Sequence, residues 1–390
     1  MTQPPVHYIN NAMRGAPVLS GTRGSLIALL EAFLVTGFGQ VTANSVTVAG
    51  GVATASLQPG EGFALHANVL VAGATPAALN GVARVIEATD TAIKFATSAP
   101  DGLATGAITI RVAPVGWQKV FTAKNKAVFR SSDVQGARHY LRIDETGTAN
   151  FARVRGYEAM TTVDAGTGLY PTNTQVNGGG YWVKSMQASA SAIPYDLIAD
   201  SRFLLVQLSA GFPDYGDSNG AAIRGFGDPL TLKLAGDPYA SCLSVSEAAD
   251  ASWQSGGFER NSESTYGSVY AARTSAGTGT AVVMYISPYV GRNDSASGSD
   301  TTLGPFPSSV DGELKLSRRY LAQSNSAPRA DIPGLLHVPQ SGLLASAIQR
   351  RDFIEGAGPL AGRVLLALHI GQYSTSTDGV SFVDITGPWR

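Results

Sequence analysis

Charged residues are scarce in this sequence: Asp, Glu, Lys and Arg make up 15% of its 390 residues, where an average soluble domain has about 25%. Glycine, with 45 residues, is abundant. Exposed helices use long charged side chains, whereas strands and turns depend on them much less. The scarcity of charge therefore favours a mainly β protein.

The sequence also lacks a concentrated basic segment. Its formal net charge is −1, and the densest basic clusters are the dipeptides Arg318-Arg319 and Arg350-Arg351. Binding to nucleic-acid phosphates requires a concentrated basic surface. We therefore expect no nucleic-acid partner, and we interpret both dipeptides as solvated surface or local ion pairs.

Cysteine and long apolar runs are nearly absent as well. Cys242 is the single cysteine, which excludes an intrachain disulfide, and its alternating surroundings predict a small buried thiol. The N-terminus has neither the charged leader nor the apolar core of a signal peptide. No uninterrupted apolar stretch of about 18 residues predicts a membrane-spanning helix. We expect a soluble product of the cytoplasm, at least initially.

One helix is predicted, close to the N-terminus, after an extended arm that contains several prolines and glycines. Its apolar residues recur at helical spacing: Leu26, Leu29, Leu30, Phe33 and Leu34. Ser25 or Thr22 can cap the N-terminus, and Gly37 provides the stop. The apolar face favours packing in the chain's own core, with docking on another protein as the alternative. We treat residues 1–37 as a first segment.

Residues 38–115 predict a small antiparallel β barrel or sandwich, because the apolar residues alternate from Gly37 onwards. Ala49-Gly50-Gly51 predicts a hairpin turn. Ala113-Pro114 closes the domain. Strands are predicted at 46–48, 52–56, 62–73, 82–87, 92–96 and 107–112.

Residues 116–390 predict one larger β-sandwich domain with long loops. Its strands are predicted at 117–121, 126–130, 139–143, 150–157, 181–186, 193–198, 202–208, 230–234, 268–272, 281–286, 313–316, 363–370 and 381–385. The long loops are 211–229, 250–265, 291–304 and 322–334. Loops of this length are uncommon unless they bind a ligand or pack against neighbouring subunits.

Familiar catalytic motifs are missing. The sequence has no Gly-x-Ser-x-Gly elbow, His-Glu-x-x-His pair, Walker loop or strand-linked Gly-x-Gly-x-x-Gly. No histidine has a second His or Cys at metal-ligand spacing; the five are His7, His66, His139, His337 and His369. We therefore assign no catalytic, cofactor-binding or metal-ligating residue, and we expect no cofactor and no enzymatic activity.

Carboxylates keep one catalytic alternative open, because a hydrolase of surface polysaccharide needs only two of them. Asp144-Glu145, Asp164 and Asp200 lie near strands or turns. Aspartates in turns usually bind neighbouring backbone amides, which favours a structural interpretation.

Two further groups resemble ligand sites. Residues 214–220, Asp-Tyr-Gly-Asp-Ser-Asn-Gly, have the oxygen density of a calcium loop without the spacing of an EF-hand, so a polar surface loop is favoured. The pairs Tyr181/Trp182 and Tyr266/Tyr270 can stack on sugars, although such residues more often cap a sheet core.

Several segments together resemble an uncharacterised family of structural proteins from the virions of tailed bacteriophages. They include SGTRGSLIALLEAFLVTGFG at 20–39, VTVAGGVATA at 46–55, AGATPAALNG at 72–81 and APVGWQKVF at 113–121. NKAVFRS at 125–131, YLRID at 140–144, IADSRFLLV at 198–206, GFGD at 225–228 and VDITGPWR at 383–390 continue the likeness. Residues 236–330 match less clearly.

The resemblance implies a virion component of the tail or head-to-tail region in phages of Gram-negative bacteria, and it assigns no functional residues. We expect a tail, baseplate, tail-tip or fibre-attachment protein that is assembled in the host cytoplasm and packs as a symmetric homo-oligomer. Its N-terminal arm and helix would dock on an adjacent virion protein. The alternatives are a tail protein that binds a host receptor or glycan, a surface-polysaccharide hydrolase, and a head decoration or head-fibre protein.

Overall fold

A computed structural model describes residues 5–211, 221–249, 256–259, 267–288, 300–323, 328–342, 344–371 and 378–390. Strands account for 44% of the residues and helices for 7%, which confirms the mainly β prediction. The chain divides into two compact units. The small unit consists of His7–Val18 and Ala28–Gly116, and the large unit contains Leu19–Ile27 and Trp117–Arg390 together with residues 5–6. Of the predicted first segment 1–37, His7–Val18 belongs to the small unit and Leu19–Ile27 to the large unit, and the remainder from Ala28 belongs to the small unit.

The small unit contains an antiparallel sheet of eight strands in the order β2-β9-β5-β6-β7-β4-β3-β8. This curled sheet corresponds to the predicted small β domain. The strands of the unit are β1 (His7–Asn10), β2 (Phe38–Thr42), β3 (Ser45–Ala49), β4 (Val52–Ser56), β5 (Asn68–Ala72), β6 (Gly81–Ala88), β7 (Ala92–Ala96), β8 (Gly102–Leu103) and β9 (Thr109–Val112).

The predicted hairpin is confirmed, because β3 and β4 pair from Ser45↔Ser56 to Ala49↔Val52. Gly50 and Gly51 form the two-residue turn with φ of 58° and 77°, values that favour glycine at both positions. Residues alternate between buried and more exposed along β3, β4 and β7, as expected for strands with one face in a core.

The predicted helix is also confirmed. Helix α1 (Ser25–Glu31) continues as one π-helical stretch, Ala32–Thr36, and ends at Gly37 with φ of 71°. All five predicted apolar residues are at most 1% exposed, so the core interpretation is correct. The apolar face is used inside the chain, and it does not provide the docking surface that we expected of the helix.

The large unit is built mainly from antiparallel neighbours, with further pairings such as β13–β15, β15–β20 and β25–β29 between strands that are not consecutive. Its first strands are β10 (Gln118–Ala123), β11 (Lys126–Arg130), β12 (Tyr140–Asp144), β13 (Phe151–Met160), β14 (Gly166–Tyr170), β15 (Gly180–Val183), β16 (Tyr195–Ala199), β17 (Phe203–Leu208), β18 (Ile223–Gly227) and β19 (Leu230–Thr231). The later elements are β20 (Cys242–Ser246), β21 (Gly267–Ala271), β22 (Val282–Pro288), β23 (Pro305–Phe306), β24 (Ser317–Ala322), β25 (Pro328–His337), β26 (Ser341–Gly342), α2 (Leu344–Ala347), β27 (Phe353–Glu355), β28 (Val364–Gly371) and β29 (Asp378–Asp384).

Two predicted loops contain strands instead. Strand β18 lies within 211–229, and β25 lies largely within 322–334. Both carry glycine and charged residues, and β25 also carries proline, all of which resemble loop composition. The strand predicted at 313–316 does not form, and the chain becomes a strand only at Ser317. Most of 250–265 and 291–304 lies outside the described residues.

Candidate functional site

A group of buried ionisable side chains joins Glu259, Asp300, Arg319 and His337 in the large unit. Arg319 lies on β24 and His337 ends the neighbouring strand β25. Glu259 is held beside β18 by an isolated antiparallel bridge to Ile223. All four side chains are at most 2% exposed. We call this group the histidine cluster.

Short polar contacts connect the histidine cluster. Arg319 binds both carboxylate oxygens of Glu259, with a distance of 2.6 Å from Nε to Oε2. His337 Nδ1 lies 3.2 Å from each oxygen of Glu259, and Nε2 lies 2.8 Å from Asp300 Oδ2. Burial acts to raise the pKa of Glu259, but Arg319 and His337 outweigh it and lower that pKa to about 2.

The histidine cluster has the residue types of an acid–base site, yet its atoms are closed to solvent. Buried charges are costly unless they are paired and hydrogen-bonded, and Glu259 meets this condition through Arg319. In the described structure, the side chains of the histidine cluster therefore act as a structural connection between strands.

Other buried carboxylates are also held by ion pairs with arginine side chains. Asp196 on β16 is fully buried and accepts hydrogen bonds from Arg350 and Arg351, with Nε of Arg351 2.7 Å from Oδ1. Arg329 on β25 binds Asp237 at 2.8 Å, and both side chains are at most 5% exposed. Each of these ties connects segments that are far apart in sequence.

The two arginine dipeptides differ from our interpretation of them. Arg318 is exposed, as a solvated residue would be, but Arg319 is buried against Glu259. Arg350 and Arg351 pair with Asp196, which is more than 150 residues away, so neither pair is local. A dipeptide pattern cannot indicate such partners, because only the fold brings them together.

A fourth buried pair joins Lys184 and Glu145, whose side chains are both 0% exposed. Lys184 Nζ also donates to the carbonyl of Thr22 at 2.6 Å and to Ser25 Oγ at 3.3 Å. The second oxygen of Glu145 accepts the N–H of Ile27 at 3.0 Å. Glu145 therefore binds a backbone amide in the first turn of α1, where we had expected a cap from Ser25 or Thr22.

The other predicted carboxylates lie at polar surfaces or turns. Asp144 and Asp164 are brought together around Arg142, which lies 2.8 Å from one and 2.5 Å from the other. Hydrogen bonds from Lys126 and Arg142 lower the pKa of Asp164; burial acts to raise the pKa of Asp144, but hydrogen bonds from Thr146 and Arg142 lower it. A general acid needs a raised pKa, so this pair does not have the electrostatics of a glycosidase.

Asp200 stabilises the turn between β16 and β17 through hydrogen bonds. Its Oδ1 accepts the N–H groups of Arg202 and Phe203 at 2.8 and 2.7 Å, and its Oδ2 accepts Nε of Arg390 at 2.8 Å. The structural interpretation of this turn aspartate is confirmed.

The remaining histidines do not meet one another. Burial lowers the pKa of His7 and of His139 to about 4. His369 Nε2 lies 2.7 Å from the carbonyl of Ile348, and His66 occupies a left-handed position with φ of 63°. His337 does join a group of ionisable side chains, and no spacing in the sequence indicates its partners.

Of the predicted aromatic and sulfur groups, Trp182, Tyr270 and Cys242 belong to the core, whereas Tyr181 is partly exposed and has Arg153 over its ring. Trp182 is fully buried and donates from Nε1 to the carbonyl of Ser244 at 2.8 Å, and Tyr270 is 2% exposed. The thiol of Cys242 is buried, which confirms its prediction, and burial raises its pKa. Tyr266 and the acidic stretch 214–220 lie outside the described residues.

A polar groove of about 430 Å³ lies in the small unit, beside strand β2. It is lined by Gln40, Val41, Thr42, Ala43, Asn44, Gln58 and Glu61. Gln58 Nε2 donates to Asn44 Oδ1 at 2.8 Å, so the two amides hold each other across this surface. The groove offers amide, hydroxyl and carboxylate groups to a polar ligand.

Searches against protein-family models and against curated proteins found no match for this chain. Among the residues that the structure describes, no group of three or more His, Cys, Asp or Glu side chains is placed to hold a metal ion. Within the same residues, no helix has the length and apolar character needed to cross a membrane.

Proposed function

We propose that the chain is a structural subunit of a tailed-bacteriophage virion, in the tail or baseplate region, and that it acts by packing as a symmetric homo-oligomer with adjacent virion proteins. The resemblance of the nine sequence segments supports the phage assignment. The structural observation that supports the proposal is the set of buried ionic ties that connect distant parts of the large β unit. Assembly would take place in the cytoplasm of the host bacterium.

The ties are suited to a rigid building block. They join residues 39, 60, 92 and 154 positions apart, in the pairs Lys184–Glu145, Arg319–Glu259, Arg329–Asp237 and Arg350–Asp196. Removing one member of a buried pair leaves an uncompensated charge and is strongly destabilising, so alternative arrangements of the strands are penalised. A subunit with one well-defined shape can repeat the same contacts around a symmetry axis.

Electron microscopy of virions labelled on this chain tests the proposal directly. We expect the label at one position on the tail, repeated with the symmetry of that position. Light scattering of the purified chain across a range of concentrations should show a closed oligomer. Particles without label would overturn the virion assignment, and a monomer at every concentration would overturn self-packing. A label on the capsid would instead support the head decoration or head-fibre alternative.

A second candidate function, glycan binding at the host surface, is favoured by the polar groove of the small unit. Amide and carboxylate groups of the kind that line it form hydrogen bonds with sugar hydroxyls. Calorimetric titration with purified host-surface polysaccharide tests this candidate. We expect binding by the native chain, weaker binding by Glu61→Ala, and unchanged binding by Glu87→Ala on the exposed Glu87–Lys94 pair. Lack of binding by the native chain would remove this candidate.

The hydrolase alternative is the least supported by electrostatics, because the pKa of both Asp144 and Asp164 is lowered. Incubation with host envelope polysaccharide, followed by assay for new reducing ends, decides it. Release of reducing ends that is lost in Asp144→Asn would overturn our preference.

A further inference from the structure

We propose that Arg153 and Arg155, on strand β13 of the large unit, form a binding site for a phosphate group. The two residues are two positions apart on one strand, so their side chains lie on the same face of the sheet. Both guanidinium groups donate hydrogen bonds to residues within 173–179, the segment between β14 and β15. This inference does not depend on the phage assignment.

The guanidinium of Arg153 is fixed in position by its neighbours. Its Nη1 donates to the carbonyls of Asn177 and Gly179, the second at 2.8 Å. Its central carbon lies 4.3 Å from the centre of the Tyr181 ring, which is a cation–π contact. Gly178 permits the close approach, because a Cβ there would lie 2.7 Å from Nη1. An arginine that is already fixed loses little conformational freedom when it binds a ligand.

The other two nitrogens of Arg153 provide the open part of the site. Within the described residues, Nη1 makes both hydrogen bonds of this side chain, so Nε and Nη2 have no protein acceptor. These two nitrogens form the edge with which an arginine binds two oxygens of one phosphate or carboxylate group. Arg153 is partly exposed, so a ligand can reach this edge from solvent.

Arg155 supplies a second positive charge that is held close to the first. It is 6% exposed, and its Nη2 donates to Asn173 Oδ1 at 2.8 Å and to the carbonyl of Val176 at 3.0 Å. Its Nε is buried and has no acceptor in the part of the chain that the structure describes. The guanidinium of Arg155 is therefore held by neutral oxygens, none of which compensates its charge.

The acidic side chains nearby are already paired with other cations. Asp144 and Asp164 bind Lys126 and Arg142, two carboxylates with two cations. Asp144 lies opposite Arg153 in the register of β12 and β13, yet its ion pairs are with Arg142 at 2.8 Å and Lys126 at 3.9 Å. The two arginines of β13 thus add two positive charges that no carboxylate among the described residues neutralises. A phosphate group, with a charge of about −1.5 to −2 at pH 7, matches them.

The electrostatic environment of Arg155 also favours a bound anion. Burial lowers the pKa of Arg155, Tyr157 acts to raise it, and the charges of Arg142 and Arg153 act to lower it further. Arg142 lies directly opposite Arg155 in the sheet, a position where like charges are destabilising. A phosphate group bound at Arg153 offsets this repulsion, because it brings negative charge close to all three guanidinium groups.

Calorimetric titration of the full chain with inorganic phosphate, at constant ionic strength, tests the site. We expect saturable binding of phosphate and no binding of chloride. Arg153→Gln should weaken phosphate binding by about 10- to 100-fold, as for loss of hydrogen bonds to a charged group. Arg153→Lys keeps the charge but lacks the paired nitrogens, so it should also bind more weakly than the native chain.

Arg130→Gln is the matched control. Arg130 also lies over a tyrosine ring, that of Tyr140, but its Nε is buried, so it lacks an open edge. This variant should bind phosphate as the native chain does. Glycerol phosphate distinguishes the two sources of the group: binding equal to that of inorganic phosphate indicates a phosphate ester of a larger molecule, and binding of inorganic phosphate alone indicates the free ion.

Nuclear magnetic resonance of the native chain labelled with ¹⁵N-arginine provides a test that does not depend on the folding of a variant. We expect the Nε signal of Arg153 to shift in a saturable way as phosphate is added, and that of Arg130 to stay in place. The proposal is overturned if the native chain shows no saturable binding of phosphate. It is also overturned if Arg153→Lys binds as tightly as the native chain, or if Arg130→Gln loses as much affinity as Arg153→Gln.

Discussion

Replacing Lys184 by methionine should destabilise the large unit severely, because it leaves the Glu145 carboxylate buried without its cation. Both side chains are 0% exposed. After the change, the contact from the N–H of Ile27 at 3.0 Å remains, but it does not neutralise the charge. Breaking a buried ion pair from one side costs about 3–5 kcal/mol of unfolding free energy. We expect Lys184→Met to fall in that range.

The double variant E145Q/K184M should be much less damaging than the single change. The introduced glutamine side chain keeps an oxygen for the N–H of Ile27 but carries no charge. Burial lowers the pKa of Lys184 even though Glu145 acts to raise it. Desolvation of the ammonium therefore outweighs the attraction, and removing both charges also removes that cost. We expect the unfolding free energy of the double variant to lie within about 2 kcal/mol of that of the native chain, because only hydrogen bonds are then lost.

Urea unfolding followed by tryptophan fluorescence measures these free energies, and Trp182 lies two residues from the altered site. The matched control is Lys94→Met, which breaks the exposed pair with Glu87. Exposed pairs contribute about 0–1 kcal/mol, so the control should be nearly neutral. The reasoning is refuted if Lys184→Met is as mild as the control, or if the double variant loses as much stability as the single one.

Three further predictions concern separate features of the molecule. Gly21→Ala would place a Cβ 1.8 Å from the carbonyl oxygen of Gln187, which should cost about 1–3 kcal/mol in urea unfolding; Gly147→Ala, with open space around it, should not. Burial acts to raise the pKa of Glu259, but its cationic neighbours hold it near 2. The Glu259 carboxylate therefore stabilises the fold above pH 4.5, its ordinary pKa, and this stabilisation is lost as pH falls towards 2. Acid titration of the Glu259→Gln variant should show a shallower loss of stability. Cys242 should react with a thiol reagent only after unfolding, since the thiol is fully buried; rapid labelling of the native chain would contradict this.

Local patterns predicted the local structure well. The Gly50-Gly51 hairpin needs only two residues that tolerate positive φ, and α1 needs only apolar residues at helical spacing. Strand β25 was missed because its ten residues, Pro-Arg-Ala-Asp-Ile-Pro-Gly-Leu-Leu-His, include two prolines, a glycine and buried charged groups. Those residues are accommodated by partners elsewhere in the fold, such as Asp237 for Arg329.

The sequence alone determined that this is a mainly β protein with a short helix close to the N-terminus, since low charge, alternation and turn residues act within a few positions of one another. The tertiary structure decided which charges are buried and with whom. Asp196 meets arginines 154 and 155 positions later, and His337 meets carboxylates 78 and 37 positions earlier. Electrostatic energy depends on distance in space and on exclusion of water, and neither quantity can be read along a chain.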